Sequence, residues 1–154
     1  MFICENPGYK ELQLGQPLVG PAGKQFDMML EAAGLSRRGV YLANMTCCTD
    51  LTRENRHPLP DELTACQPRL LAEIAKVDPV VIVAMGNVAY TLFFPGYERA
   101  VGKARHHIRS WQGRLVVGTY HPASTLANRY PELFPLIVED MRLAVQLVKE
   151  SNNG

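Results

Sequence analysis

Four polar side chains stand where short apolar segments of the sequence end. Glu5 and Asn6 directly follow the first segment, Asn44 follows the second, and His121 comes shortly after the last. A carboxylate can stabilise a cation or orient water, an imidazole can donate to a departing group, and an amide pairs one donor with one acceptor. Taken singly, solvation, turn capping or a structural role explains each residue well. Their common position favours a shared site.

The apolar segments belong to a regular alternation of strands and helices. Strands are predicted at residues 1–4, 40–43, 80–85 and 115–119, helices at 21–33, 60–77, 86–94 and 134–149, and loops at 5–20, 45–59 and 95–114. This alternation predicts an α/β fold in which helices cover both faces of a parallel sheet, with a disturbance at Pro68 in the second helix. Because the carboxyl ends of parallel strands share one edge, we expect the four polar residues to lie together there.

The composition is that of an ordinary globular domain. Hydrophobic residues make up 47% and charged residues 20% of the 154 residues, which predicts one domain over residues 1–154 with a substantial core. The net charge of +1 excludes a global basic field for nucleic acid, although a local patch can still bind it. Since no apolar run is long enough for a membrane span and no signal segment opens the chain, we expect a cytoplasmic protein that does not bind membranes.

Six segments occur along the chain in a fixed order: CENPG, GQPLVGPAG, VYLANMTCC, ENRHPLPDELTAC, PVVIVAMGNVA and GTYHPAS. In order and spacing they resemble the uracil-DNA glycosylase superfamily, and most of all its family 4 branch. The resemblance implies a three-layer α/β/α sandwich around a four-stranded parallel sheet. It also implies a monofunctional glycosylase of base excision repair, which hydrolyses the bond between uracil and deoxyribose in DNA and leaves an abasic site.

The resemblance also assigns roles to single residues. The implied catalytic residues are Glu5, Asn6 and His121, and the implied substrate-binding residues are Gly8, Leu18 and Asn44. Breaking the bond builds positive charge on the sugar and negative charge on the base, which a carboxylate and a histidine donor respectively stabilise. An asparagine amide matches the O4 and N3–H edge of uracil, once the base has been flipped out of the duplex.

Three positions in the first two segments depart from the family 4 pattern, as does the stretch PASTLANR after His121. Asn6 replaces an alanine and matches the mismatch-specific branch, where an asparagine positions water, so Asn6 is expected to share that role. Cys4 replaces a glycine, and its side chain crowds a close approach. Leu18 replaces the phenylalanine that stacks on the base, which removes a stacking energy of ~1–3 kcal/mol and predicts weaker uracil binding or a different preferred base.

A basic segment at residues 99–114, which opens with Arg99, is either a solvated loop or a phosphate-contacting surface. The predicted DNA contacts are Arg105, Arg109, Leu126 and Arg129. His57 and its neighbouring arginines extend this surface; a related branch traps DNA covalently through a histidine in this region, but its sequence context is missing here. The expected partner is DNA that contains uracil or a damaged base, bound by a monomer.

Four cysteines in a chain without a secretory signal indicate thiols or metal ligands. Family 4 members hold a 4Fe–4S cluster with four cysteines, of which Cys48 and Cys66 match the later two. Cys4 and Cys47 do not replace the earlier pair, because neighbouring residues seldom face one cluster and Cys4 should lie at the active-site edge. The chain therefore carries half of a ligand set. Either the cluster has been lost or an upstream segment is missing.

Two other functions stay open at this point. A catalytically degenerate member of the superfamily would bind DNA or a nucleobase without cleaving it, which the changes at Cys4 and Leu18 favour. A glycosylase for a different damaged base, such as hypoxanthine, is the third hypothesis.

Overall fold

The computed structural model describes residues 1–54, 56–96 and 101–153. Its strands are β1 Phe2–Cys4, β2 Leu42–Asn44, β3 Val81–Met85, β4 Arg109–Trp111 and β5 Arg114–Thr119. Within the described ranges they form one sheet in the order β2-β1-β3-β5-β4, in which only β4 is antiparallel to its neighbour. The chain first adds β2 on one side of β1 and then crosses to add β3 on the opposite side of β1. The strand order therefore reverses beside β1. Ligands of open α/β sheets bind at such a point.

Helices cover both faces of this sheet. In the described part of the chain they are α1 Tyr9–Leu14, α2 Pro21–Ala32, α3 Pro60–Val77, α4 Asn87–Phe93, α5 Val101–Ala104 and α6 Leu133–Asn152. Helices α2 and α6 pack on one face, and α3, α4 and α5 pack on the other, which gives three layers. None of these helices is both long enough and apolar enough to cross a membrane.

The side chains of the central strand β3 alternate between the two layers. Val81, Val83 and Met85 belong to the hydrophobic cluster with α2 and α6, whereas Ile82 and Ala84 belong to the cluster with α3 and α4. All five are buried. Burial on both faces explains why this strand reads as a continuous apolar run rather than as an alternating one.

The turn before α2 depends on a glycine. A Cβ atom at Gly23 would lie 1.8 Å from the carbonyl oxygen of Leu18, so this close approach excludes any larger residue. Leu18 itself has a φ of 51°, a left-handed conformation that costs a non-glycine residue roughly 1 kcal/mol. The Arg37 guanidinium compensates by donating to the carbonyls of Leu18 and Pro17.

The predicted α/β class and the helices of both layers are confirmed, while the loops predicted at 5–20 and 95–114 were wrong in part. The sheet has a fifth strand, β4, because the loop predicted at 95–114 turns back at Gln112 and Gly113 and pairs Trp111 with Arg114. Helix α5 lies in that same region, and helix α1 lies inside the loop predicted at 5–20. Helix α3 continues through Pro68.

Candidate active site

A cavity of about 480 Å³ opens at the carboxyl edge of the sheet, beside the ends of β1 and β5. Three of its lining residues are the predicted catalytic residues Glu5, Asn6 and His121. Arg56, His57 and Arg129 are among the other lining side chains. The structure therefore brings the acid, the neighbouring amide and the imidazole together, because each follows a parallel strand at the same edge.

The Glu5 carboxylate is mostly buried and contacts one ring directly. Its Oε1 atom lies against Nδ1 of His57, with the Glu5 side chain 14% exposed and the His57 side chain 66% exposed. Burial raises the pKa of Glu5 above its ordinary value, and the hydrogen bond and charge of His57 oppose that shift. His57 thus contacts the predicted catalytic acid directly, a contact that its place in the sequence did not indicate.

The residues that follow His121 hold its ring and its carbonyl group. Nδ1 of His121 accepts a hydrogen bond of 3.1 Å from the backbone N–H of Ala123, and the His121 carbonyl accepts from the hydroxyl of Ser124 at 2.6 Å. An accepting Nδ1 leaves the ring proton on Nε2. Burial, with a smaller contribution from His57, lowers the pKa of His121 to about 4, and Glu11 opposes the shift. At neutral pH the ring is therefore a neutral hydrogen-bond donor.

Asn6 ties two loops together. Its Nδ2 atom donates to the Thr49 hydroxyl and to the carbonyl of Arg56, each at 2.7 Å. The Thr49 hydroxyl in turn donates to the carbonyl of Pro7 at 2.6 Å. These bonds use both N–H groups of the amide to hold the loop that carries His57 against the loop after β1. The amide oxygen is therefore the polar atom of Asn6 that can contact water directly.

Asn44 lies at the same edge but lines a second cavity, of about 300 Å³. Asn44 is paired in register with Cys4, directly before Glu5, and Pro7 lines this second cavity. The segment after β1 therefore contributes to both cavities. Arg69 supports the end of β2 by donating to the carbonyl of Asn44 at 2.5 Å.

Glu11 organises the loop that lines the second cavity, and no sequence motif singled it out. Its Oε1 atom accepts hydrogen bonds from the backbone N–H groups of Val19 at 2.9 Å and Gly20 at 2.6 Å. A Cβ atom at Gly8 or Gly20 would lie 2.7 or 3.0 Å from this carboxylate, so both glycines make room for it. Gly8 thus serves the loop around Glu11. The sequence signal was weak: a single acidic residue inside a glycine-rich segment.

Leu18 and Cys4 lie in the hydrophobic core. Both belong to the cluster beside α2 and α6, and the Leu18 side chain, 5% exposed, packs there with Phe26. Burial and the nearby carboxylate of Glu11 raise the pKa of the Cys4 thiol. The side chain that replaces the family's stacking phenylalanine is therefore directed into the core.

The residues predicted to contact DNA occupy different environments. Arg129 lines the cavity of Glu5 and His121, and Leu126 is half-buried in the 3-10 segment Pro122–Asn128 beside it. Arg109 lies on the outer strand β4, with its guanidinium 5.2 Å from the centre of the Phe94 ring. Arg99 lies outside the described residues.

Arg105 is an interior residue. Its side chain is 9% exposed and its Nε atom donates to Asp140 at 2.7 Å. The guanidinium also donates to the Glu139 carboxylate and to the Leu136 carbonyl, each at 3.0 Å. This geometry gives Arg105 a role in holding α6 and does not support the predicted phosphate contact.

The cysteines do not form the ligand set of a four-cysteine cluster. Cys47 and Cys48 are both exposed and Cys66 is partly buried, while burial and a hydrogen bond with Cys66 raise the pKa of the Cys47 thiol. That Cys48 and Cys66 form half of a cluster site stays a prediction. Across residues 1–54, 56–96 and 101–153, no three histidine, cysteine or acidic side chains could hold a metal ion together.

Fold and site together define a three-layer α/β/α protein with a carboxylate and a neutral imidazole at the carboxyl edge of a parallel sheet. The family model described as the uracil DNA glycosylase superfamily matches residues 1–142. The chain therefore belongs to the uracil-DNA glycosylase superfamily.

Type-4 uracil-DNA glycosylases are among its relatives. The protein of Thermotoga maritima is 36% identical over 151 residues, which cover 97% of this chain and 78% of the relative. That of Saccharolobus solfataricus is 35% identical over 92% of this chain and 68% of the relative. That of Sulfurisphaera tokodaii is 35% identical over 92% of this chain and 66% of the relative. The resemblance drawn from the sequence segments is thereby confirmed.

Proposed function

We propose that this protein hydrolyses the N-glycosidic bond between uracil and deoxyribose in DNA and leaves an abasic site, as a step of base excision repair. The observation that carries the proposal is that the Glu5 carboxylate and the neutral His121 ring line the same cavity. Such a reaction needs a negative group beside the sugar and a donor beside the base. The Type-4 uracil-DNA glycosylases to which the chain is similar support the same reaction.

Glu5 acts on the sugar side of the bond. As the bond lengthens, positive charge develops on the sugar ring, and a mostly buried carboxylate stabilises it more strongly than a solvated one would. The contact with His57 holds the carboxylate in place. Water that attacks the sugar carbon is oriented by Glu5 and by the amide oxygen of Asn6.

His121 acts on the base side of the bond. Negative charge develops on the uracil ring as it departs, and the Nε2–H of His121 donates a hydrogen bond to a carbonyl oxygen of the base. With a pKa of about 4 the ring is neutral at pH 7, so it stabilises the departing anion without transferring a proton to it. Acid that protonates this ring also removes its hydrogen bond from Ala123.

The uracil reaches this site after flipping out of the duplex. Asn44 reads the O4 and N3–H edge of the base from the adjoining cavity, and Arg56 and Arg129 bind phosphates beside the flipped nucleotide. Leu126 fills the space that the base leaves in the stack. The enzyme works as a monomer on DNA inside the cell.

Base release from oligonucleotides tests this function. The substrates carry uracil in a single strand, opposite guanine or opposite adenine, and a parallel set carries hypoxanthine. Wild-type protein should release uracil, His121→Ala should be slower by about 10²–10³-fold, and the exposed control Asn152→Ala should match wild type.

Three results would contradict the proposal. Folded wild-type protein that binds uracil DNA without releasing the base would indicate a degenerate member of the superfamily. Release of hypoxanthine but not of uracil would indicate a different substrate. Uracil release that survives His121→Ala would refute the assigned role of the imidazole.

A further inference from the structure

The end of β5, two residues before His121, is anchored to the interior of the protein by a polar cluster. The Thr119 hydroxyl donates to Oδ2 of Asp140 at 2.6 Å, and Arg105 Nε donates to the same oxygen at 2.7 Å. Thr119 and Asp140 are both fully buried, and the Arg105 side chain is 9% exposed. The arginine neutralises the carboxylate, so the anchor joins β5 to α6 without an unpaired charge in the core.

The backbone of Thr119 is fixed from a second direction. Its carbonyl accepts a hydrogen bond of 2.8 Å from the N–H of Gly86, directly after β3. Gly86 has a φ of 91° and approaches the imidazole residue closely: a Cβ atom there would lie 3.4 Å from Cβ of His121. Thr119 therefore has both its carbonyl and its hydroxyl bonded to neighbouring elements, while His121 is held from its other side by the bonds to Ala123 and Ser124.

We propose that Thr119 and Asp140 are positioning residues, which aim the Nε2–H of His121 at the departing base. This inference rests on the proposed function. Thr119 and Asp140 do not line the cavity of Glu5 and His121. They act on His121 indirectly, by fixing the direction in which the chain leaves β5. A hydrogen bond to the developing charge depends steeply on alignment, and a displacement of about 1 Å can cost about 10²-fold in rate.

The decisive variant is Thr119→Val, which keeps the shape of the side chain and removes only the hydroxyl. The conservative variant Thr119→Ser restores the donor to Asp140. Thr91→Val is the matched control, because the Thr91 hydroxyl also donates one hydrogen bond, in its case to the Val88 carbonyl on α4 at 2.8 Å. Each protein is tested for uracil release under single-turnover and steady-state conditions, for unfolding in urea, and by NMR of the histidine ring nitrogens.

We expect Thr119→Val to lower kcat by about tenfold or more, to change KM for uracil DNA by less than about twofold, and to shift the ring-nitrogen signals of His121. Thr119→Ser should recover most of the rate, and Thr91→Val should match wild type. If Thr119→Val does not fold, Thr119→Ala provides the same loss of the hydroxyl.

Three outcomes would overturn the proposal: a Thr119→Val rate within about twofold of wild type, an equal loss in Thr119→Val and Thr119→Ser, or unchanged His121 signals in Thr119→Val. The NMR comparison does not need turnover. If wild-type protein releases no uracil, the proposed function is refuted, and the NMR comparison alone still shows whether Thr119 positions the His121 ring.

Discussion

The buried neutral ring of His121 should make the protein less stable in acid, by an amount that follows from its pKa. An unfolded histidine has a pKa of 6.5, whereas that of His121 in the folded chain is about 4. Between these values the unfolded state binds a proton that the folded state does not bind. The contribution of His121 to the free energy of unfolding is therefore fully present above pH 6.5 and is lost as the pH falls towards 4.

Proton linkage gives the size of this effect. With the two pKa values of 6.5 and about 4, wild-type protein loses about 2.5 kcal/mol through this one group between about pH 7.5 and pH 4.5. The variant His121→Gln lacks the titrating ring but keeps a polar side chain that can accept from Ala123. Between the same two pH values, the free energy of unfolding of His121→Gln should fall by about 2.5 kcal/mol less than that of wild type, because the two proteins share all other titrating groups.

Urea unfolding of both proteins at the two pH values measures this difference. Far-UV circular dichroism gives the free energy of unfolding at each pH, and the control His106→Gln removes an exposed histidine instead. If the pH dependence of His121→Gln and wild type agrees within about 0.5 kcal/mol, the ring is not held neutral, and the assignment of an Nε2–H donor is refuted.

Two further predictions concern the loop that shapes the site. Glu11→Ala should lower the free energy of unfolding, measured by urea titration, by about 3 kcal/mol, because the N–H groups of Val19 and Gly20 lose a charged acceptor. Glu11→Gln should lower it by less, and an equal loss in the two variants would contradict this prediction. Gly23→Ala should cost about 3 kcal/mol because its Cβ would meet the Leu18 carbonyl, whereas Gly39→Ala, whose Cβ would make only an ordinary contact with the Ser36 hydroxyl at 3.8 Å, should stay within about 0.5 kcal/mol. Similar urea midpoints for the two glycine variants would show that the turn is not tight.

The parts of the site that the sequence predicted well depend on local pattern. Glu5 and His121 follow strands that are readable from their apolar residues, and the edge at which parallel strands end is a property of the fold class. Their position at one edge of the sheet therefore follows from chain order. The α/β class and the superfamily follow in the same way from short segments whose order is visible in the sequence.

The parts that the sequence did not predict depend on contacts between distant segments. Arg105 looks like any surface arginine until α6 brings Asp140 to it, 35 residues later. Leu18 occupies the position of a base-stacking residue, but its left-handed backbone is fixed by Arg37 and its side chain enters the core. Cys47 contacts Cys66, which depends on a side-chain direction that the sequence does not specify.

The charge of Glu5 is central to the account, and its removal is the most direct test. The measurement is the single-turnover rate of uracil release by Glu5→Gln relative to wild type, on the same duplex and with unfolding in urea measured in parallel. We predict a rate lower by about 10²–10³-fold, because the negative charge beside the sugar is removed. We expect no loss of stability, because the side chain keeps its size and loses a charge that burial disfavours. A rate within about threefold of wild type would contradict the account.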